Sequence, residues 1–242
     1  MRDHTRLLAV AAFACVAACR GGAPQMTDGD PRMAAPTELT ATLTDPTTVE
    51  LKWKDNATDE GGYIVEYTTD PEDEFIVLDA LPRDAVTFRH ADLVPETRFL
   101  YRVRPFFGAV SNVAQIATGK GAGRHPVEAP ADPPRPDASG AVSLRDPATA
   151  SEAGPRDLTA HLAGPTSVVL GWKDRSRDEQ GYLVEGATRP SEPFKAFAFL
   201  EADTVSFTVL DLPPETQHLF RVRAYFYGPA SNLAQTTTRA RP

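Results

Sequence analysis

Apolar and polar residues alternate along much of this chain in short runs, with turn-forming residues between them. Val49, Leu51 and Trp53 fall on one side, and Glu50, Lys52 and Lys54 on the other. Tyr63, Val65 and Tyr67 alternate with Ile64 and Glu66, and Phe99, Tyr101 and Val103 with Leu100, Arg102 and Arg104. A period of two is the mark of a strand with one face packed and one face wet. Between Pro36 and Thr118 there are seven such runs: Leu39–Leu43, Val49–Trp53, Tyr63–Tyr67, Phe75–Leu81, Val86–Ala91, Phe99–Phe107 and Val110–Ala117. Seven short strands at this spacing predict a sandwich of two antiparallel sheets.

The pattern then repeats. Trp53–Tyr67 (WKDNATDEGGYIVEY) returns as Trp172–Gly186 (WKDRSRDEQGYLVEG), a shift of 172 − 53 = 119, with nine of fifteen positions identical. In the same register Leu93-Val94-Pro95-Glu96-Thr97 and Tyr101-Arg102-Val103-Arg104 return as Leu212-Pro213-Pro214-Glu215-Thr216 and Phe220-Arg221-Val222-Arg223. One domain is therefore present twice, over residues 36–118 and 156–238, with a tail at 239–242.

These motifs resemble the fibronectin type III module of the bacterial kind. The family pattern W-x-D-x-x-x-x-E-x-G-[YF] is matched by Trp53, Asp55, Glu60, Gly62 and Tyr63, and by Trp172, Asp174, Glu179, Gly181 and Tyr182. Its L-x-P-x-T-x-Y-x-[YF]-R-V run is matched by Leu93, Pro95, Thr97, Tyr101, Arg102 and Val103, and by Leu212, Pro214, Thr216, Phe220, Arg221 and Val222. The resemblance implies an all-β chain: two immunoglobulin-like, seven-stranded sandwiches. One position departs from it. The tyrosine expected two residues after the Thr is Phe99 in one repeat and His218 in the other. Phe99 keeps the packing without the hydroxyl, and His218 is expected to sit at the core edge and donate in the hydroxyl's place.

Residues 119–155 join the repeats. They hold seven prolines and no aromatic residue, which predicts a disordered, proline-stiffened linker and two domains free to reorient. Residues 19–35 are poor in large apolar groups and read as a tether.

The start of the chain reads as an export signal over residues 1–18. Arg2 and Arg6 precede the apolar run Leu7–Ala14, which is shorter than the ~20 residues a membrane span needs. Val16-Ala17-Ala18-Cys19 resembles the lipobox of bacterial lipoproteins. That resemblance implies cleavage before Cys19, a diacylglyceryl group on its sulfur and acylation of the new amino end. Two or three acyl chains anchor durably where one does not. Arg20, not Asp, follows, which in that family leans to the outer membrane. The implied address is the bacterial cell envelope. Cys15 is the only other cysteine and lies in the signal, so neither repeat can hold a disulfide.

Charge and chemistry narrow the function. With 25 Lys and Arg against 33 Asp and Glu, the chain carries a net charge of −8, which argues against nucleic acid as a partner. The five histidines have no metal-ligand spacing, and there is no phosphate loop or nucleophile elbow. The expectation is a non-enzyme without cofactors or metal. Asp55, Asn56, Asp59 and Glu60, with Asp174, Asp178 and Glu179, read as turn formers rather than calcium ligands. Glu66 with Arg102 and Arg104, and Glu185 with Arg221 and Arg223, read as ion pairs on a solvated face. The candidate binding residues are Phe106 and Phe107 in the first repeat, and Tyr225 and Tyr227 in the second. They close the sixth strand, where exposed aromatics would anchor a partner. The expected function is binding or adhesion at the envelope, with an envelope protein or glycan as partner. A structural spacer, or a carbohydrate module serving a separate hydrolase, are the alternatives.

Overall fold

A computed structural model describes residues 30–120 and 140–240. Cys19 and the signal lie outside the described residues, as does the linker between 121 and 139. The first repeat supplies β1 (Thr37–Asp45), β2 (Thr48–Lys54), β3 (Gly62–Thr68), β4 (Ile76–Pro82), β5 (Thr87–His90), β6 (Arg98–Val110) and β7 (Ala114–Ala117). The second supplies β8 (Arg156–Gly164), β9 (Ser167–Lys173), β10 (Gly181–Ala187), β11 (Lys195–Leu200), β12 (Ser206–Val209), β13 (Gln217–Tyr227) and β14 (Ala234–Thr237). Each of the seven apolar runs contains a strand, although Val110 of the last run ends β6 and β7 begins only at Ala114, and the architecture is all-β as the alternation predicts.

Two small sheets, β1-β2-β5 and β8-β9-β12, belong to one repeat each. The third sheet belongs to both. Its strand order is β11-β10-β13-β6-β3-β4, so the sixth strands of the two repeats pair with each other. Arg223, Ala224, Tyr225, Phe226 and Tyr227 stand opposite Val110, Ala109, Gly108, Phe107 and Phe106.

The seventh strands are exchanged. β7 leaves its own repeat and pairs with β13, while β14 pairs with β6. Each sandwich is therefore completed by a strand of the other repeat. The cause is local. Phe106-Phe107-Gly108-Ala109-Val110 does not turn back as a hairpin but continues β6 as extended chain. It lacks the Asn-Gly or Asp-Gly pair that drives a two-residue turn. Gly108 meets the facing strand so closely that a Cβ there would lie 2.0 Å from the Ala224 carbonyl oxygen.

Each sandwich has its own core. Leu39, Val49, Leu51, Trp53, Tyr63, Val65, Tyr101 and Val103 fill the first, together with Ala234 of the exchanged β14. Leu158, Val168, Leu170, Trp172, Tyr182, Phe220 and Val222 fill the second, with Ala114 of β7. Met33 at the end of the tether, with Phe107 and Ala57 of the first repeat, also packs on this second core.

The chain before β8 departs from the expected linker. Leu144 is fully buried, Val142 bridges to Ser176, and Asp178 accepts hydrogen bonds from the Ser143 hydroxyl and the Leu144 amide. Residues 140–155 are therefore packed against the second sandwich. Val142, Leu144 and Ala153 join the second core and the Asp178 carboxylate caps the segment, which a count of aromatics does not reveal. Met33 likewise closes a short 3-10 turn, Pro31–Met33, so the end of the tether is folded too.

Candidate functional site

The four aromatic candidates come together at the joint, but not at the surface. Phe106, Phe107 and Tyr225 are only 2%, 2% and 4% exposed. Phe107 stacks on Phe226 with ring centres 5.6 Å apart, and Phe106 meets Tyr225 edge-on at 6.4 Å. Tyr227 is half-buried, with its ring 5.2 Å from Tyr225. Burial and the neighbouring Tyr227 hydroxyl raise the Tyr225 phenol above its ordinary range. The expectation of exposed anchors does not hold, because β6 and β13 pair with each other through these residues and their outer face is covered.

What covers it is the sheet itself. β4 and β11, the ends of the strand order, lie alongside each other, so the shared sheet curls around its outer face. Ile64, Phe106, Leu183 and Tyr225 form a third apolar cluster there, flanked by Val77, Ala80, Ala196, Phe199 and Tyr227. Beside this cluster lies a cleft of about 960 Å³ whose walls include Asp79, Arg83, Phe194, Lys195 and Arg221.

The ion pairs expected on a solvated face line this curled surface and are largely withdrawn from water. The third and sixth strands do pair as neighbours, with Glu66 opposite Arg102 and Glu185 opposite Arg221. Glu66 and Glu185 are 4% and 7% exposed. Glu185 accepts two bonds of 2.9 Å from Arg221, while the Arg223 Nε lies 3.4 Å away. Aromatic rings flank the guanidiniums: Arg102 lies over Phe75 at 4.1 Å, Arg221 over Phe194 at 4.4 Å and Arg104 over Tyr227 at 4.6 Å. Withdrawing these charges from water carries a desolvation cost, and removing one partner would leave the other charge buried and uncompensated.

The acidic loops act as turns. The Asp55 carboxylate accepts from the Ala57 amide and the Tyr63 hydroxyl, and Asp174 accepts from the Ser176 amide and the Tyr182 hydroxyl. Glu60 and Glu179 accept from the amides of Asp84 and Asp203, both in left-handed conformation. Carboxylate oxygens of Asp55, Glu60 and Asp84 lie within 4.8 Å of one another, as do those of Asp174, Glu179 and Asp203. His218 is buried and stacks on Phe220 with centres 6.0 Å apart, but its Nε2 has no hydrogen-bond partner. It keeps the packing and does not replace the missing hydroxyl at that nitrogen.

A third repeated block holds the exchange together. Ser111-Asn112-Val113-Ala114-Gln115 and Thr118 match Ser231-Asn232-Leu233-Ala234-Gln235 and Thr238 at a shift of 231 − 111 = 120. The Asn232 side chain bonds both backbone groups of Leu39, and Asn112 does the same to Leu158, all at 3.0 Å. The hydroxyls of Ser231 and Ser111 accept from the amides of Val103 and Val222, each at 3.0 Å. Those of Thr238 and Thr118 accept from the amides of Thr97 and Thr216, each at 2.9 Å. The sequence does not single out these residues, because polar side chains on a short strand carry no sign of which sheet they serve. The signal available was the repeat itself.

No family model matches this chain, and no curated protein does. Among solved structures, a Fn3-like protein from Clostridium thermocellum is similar over 31% of this chain and 76% of its own, at 20% identity and a TM-score of 0.28. That likeness is too slight to bear on what the chain does.

Proposed function

We propose that this chain is a non-catalytic binding protein of the bacterial cell envelope, anchored through lipidated Cys19, and that it acts as one rigid β unit rather than as two modules on a string. The observation that carries the rigid unit is the exchange of β7 and β14. A strand shared in this way ties the orientation of one sandwich to the other. The candidate contact surface moves with it, from the buried aromatics to the cleft between β4 and β11, where cations, carboxylates and aromatic faces are in reach together. That mixture suits a polar protein surface or a glycan. The same rigidity favours a second reading, a load-bearing subunit of an envelope assembly.

Photo-cross-linking in living cells tests both. A photoreactive side chain at Lys195 samples the cleft, and one at Leu210, exposed on the second repeat, samples a surface away from it. A defined adduct from Lys195 alone supports the cleft. Adducts from Leu210 alone contradict it. Cys19→Ala is expected to move the protein out of the membrane fraction, and retention there sinks the anchor.

A further inference from the structure

The two slots that receive the exchanged strands are alike in their acceptor residues as well as their donors. The slot beside β6 presents Leu39, Pro46, Thr97 and Val103, and the slot beside β13 presents Leu158, Pro165, Thr216 and Val222. Arg239 N donates to Pro46 O and Gly119 N to Pro165 O, both at 2.8 Å. Each slot reads the same Ser-Asn-x-Ala-Gln-x-x-Thr strand through backbone bonds and one small buried alanine. Nothing in this set distinguishes a strand of the same molecule from one of another.

The two donors differ in how they are held. β7 is followed by residues 140–155, which are packed on the same sandwich that β7 enters. β14, like β7, spans four residues and pairs on its backbone with a single strand, β6 for β14 and β13 for β7. Beyond Thr237, the backbone anchors among the described residues come from Thr238 and Arg239. Leu233 beside it is 56% exposed.

We propose that the slot beside β6 takes β14 from a second copy of this chain, so that two copies join by reciprocal exchange of this strand. The interface is the one already seen within a single chain, and two equivalent exchanges close on themselves as a two-fold dimer. Tethering gives the chain's own strand an effective concentration in the millimolar range. Exchange between copies therefore grows with protein concentration and with conditions that open β14. This inference does not depend on the lipid anchor or on the cleft.

A disulfide that can form only between copies tests it. Arg98 and Thr237 are exposed partners in the register of β6 and β14, and antiparallel partners stand at a separation a disulfide spans. Two chains, both carrying Cys15→Ser and Cys19→Ser, are made with Arg98→Cys and Thr237→Cys respectively. They are mixed, warmed briefly below the melting point, cooled and oxidised. The expected result is a covalent dimer on a non-reducing gel, at a yield at least about tenfold above that of Arg98→Cys mixed with Leu210→Cys. Equal yields from the two mixtures overturn the proposal. As a second measurement free of new cysteines, chains with and without nitrogen-15 are warmed together and examined by native mass spectrometry. Dimers of mixed mass are expected, and parent masses alone overturn it.

Discussion

The strands β3, β6, β10 and β13 have two faces, and both are covered. The inner faces pack on the small sheets, as Val65, Tyr101, Val184 and Phe220 show. The outer faces carry Ile64, Phe106, Leu183 and Tyr225 and are as well buried, but by the joint between repeats. Alternation along a strand says which residues share a side. It does not say whether that side later meets another part of the chain. Here the face that reads as wet contains isolated apolar residues among Glu and Arg, and burial there depends on pairing β6 with β13.

The changes that separate the two faces run from severe to slight. Gly108→Val puts a branched side chain against the Ala224 carbonyl and should break the β6–β13 pairing, with a loss above about 4 kcal/mol in urea unfolding. Phe106→Ala empties the third cluster and should cost roughly 3–4 kcal/mol, read by the same method. If Phe106 were a surface anchor, melting would barely change. Glu185→Ala leaves Arg221 and Arg223 without their shared acceptor, and a loss of about 3 kcal/mol is expected. Asn232→Ala unpairs both backbone groups of Leu39 at the slot and should cost about 1–2 kcal/mol. It should also raise hydrogen exchange in β14 more than in β7.

The mildest effect belongs to the inner face. His90 sits among Tyr67, Phe88, Phe99 and Tyr101, and burial lowers its pKa below the ordinary value. The unfolded chain then binds the proton more readily, so this contribution is full above the ordinary histidine value of about 6.5 and is lost as pH falls towards the depressed one. His90→Phe should flatten that part of the profile.

Much of the fold was legible. Trp53, Tyr63, Tyr101 and Val103 announce their strands and their side through the period of two, and the 119-residue shift announces the second sandwich. The joint was not legible, for a reason visible at Gly108. A glycine between apolar runs reads as a turn, and only the facing strand shows that it is there for close approach. Leu144 and Ala153 anchor residues 140–155 in the second core, and two buried residues nine positions apart leave no periodic trace. The Ser-Asn-x-Ala-Gln-x-x-Thr blocks were plainly repeated, yet nothing in them tells a strand which repeat to join.

The chain has two tryptophans, Trp53 in the first core and Trp172 in the second. Trp172→Phe and Trp53→Phe each leave one fluorescent reporter of one sandwich. Urea unfolding followed in each, with and without Leu51→Ala in the first core, tests the shared architecture most directly. Interlocked sandwiches predict that both reporters unfold at one midpoint and that Leu51→Ala lowers both together. A shift confined to the Trp53 reporter would contradict the exchange of strands.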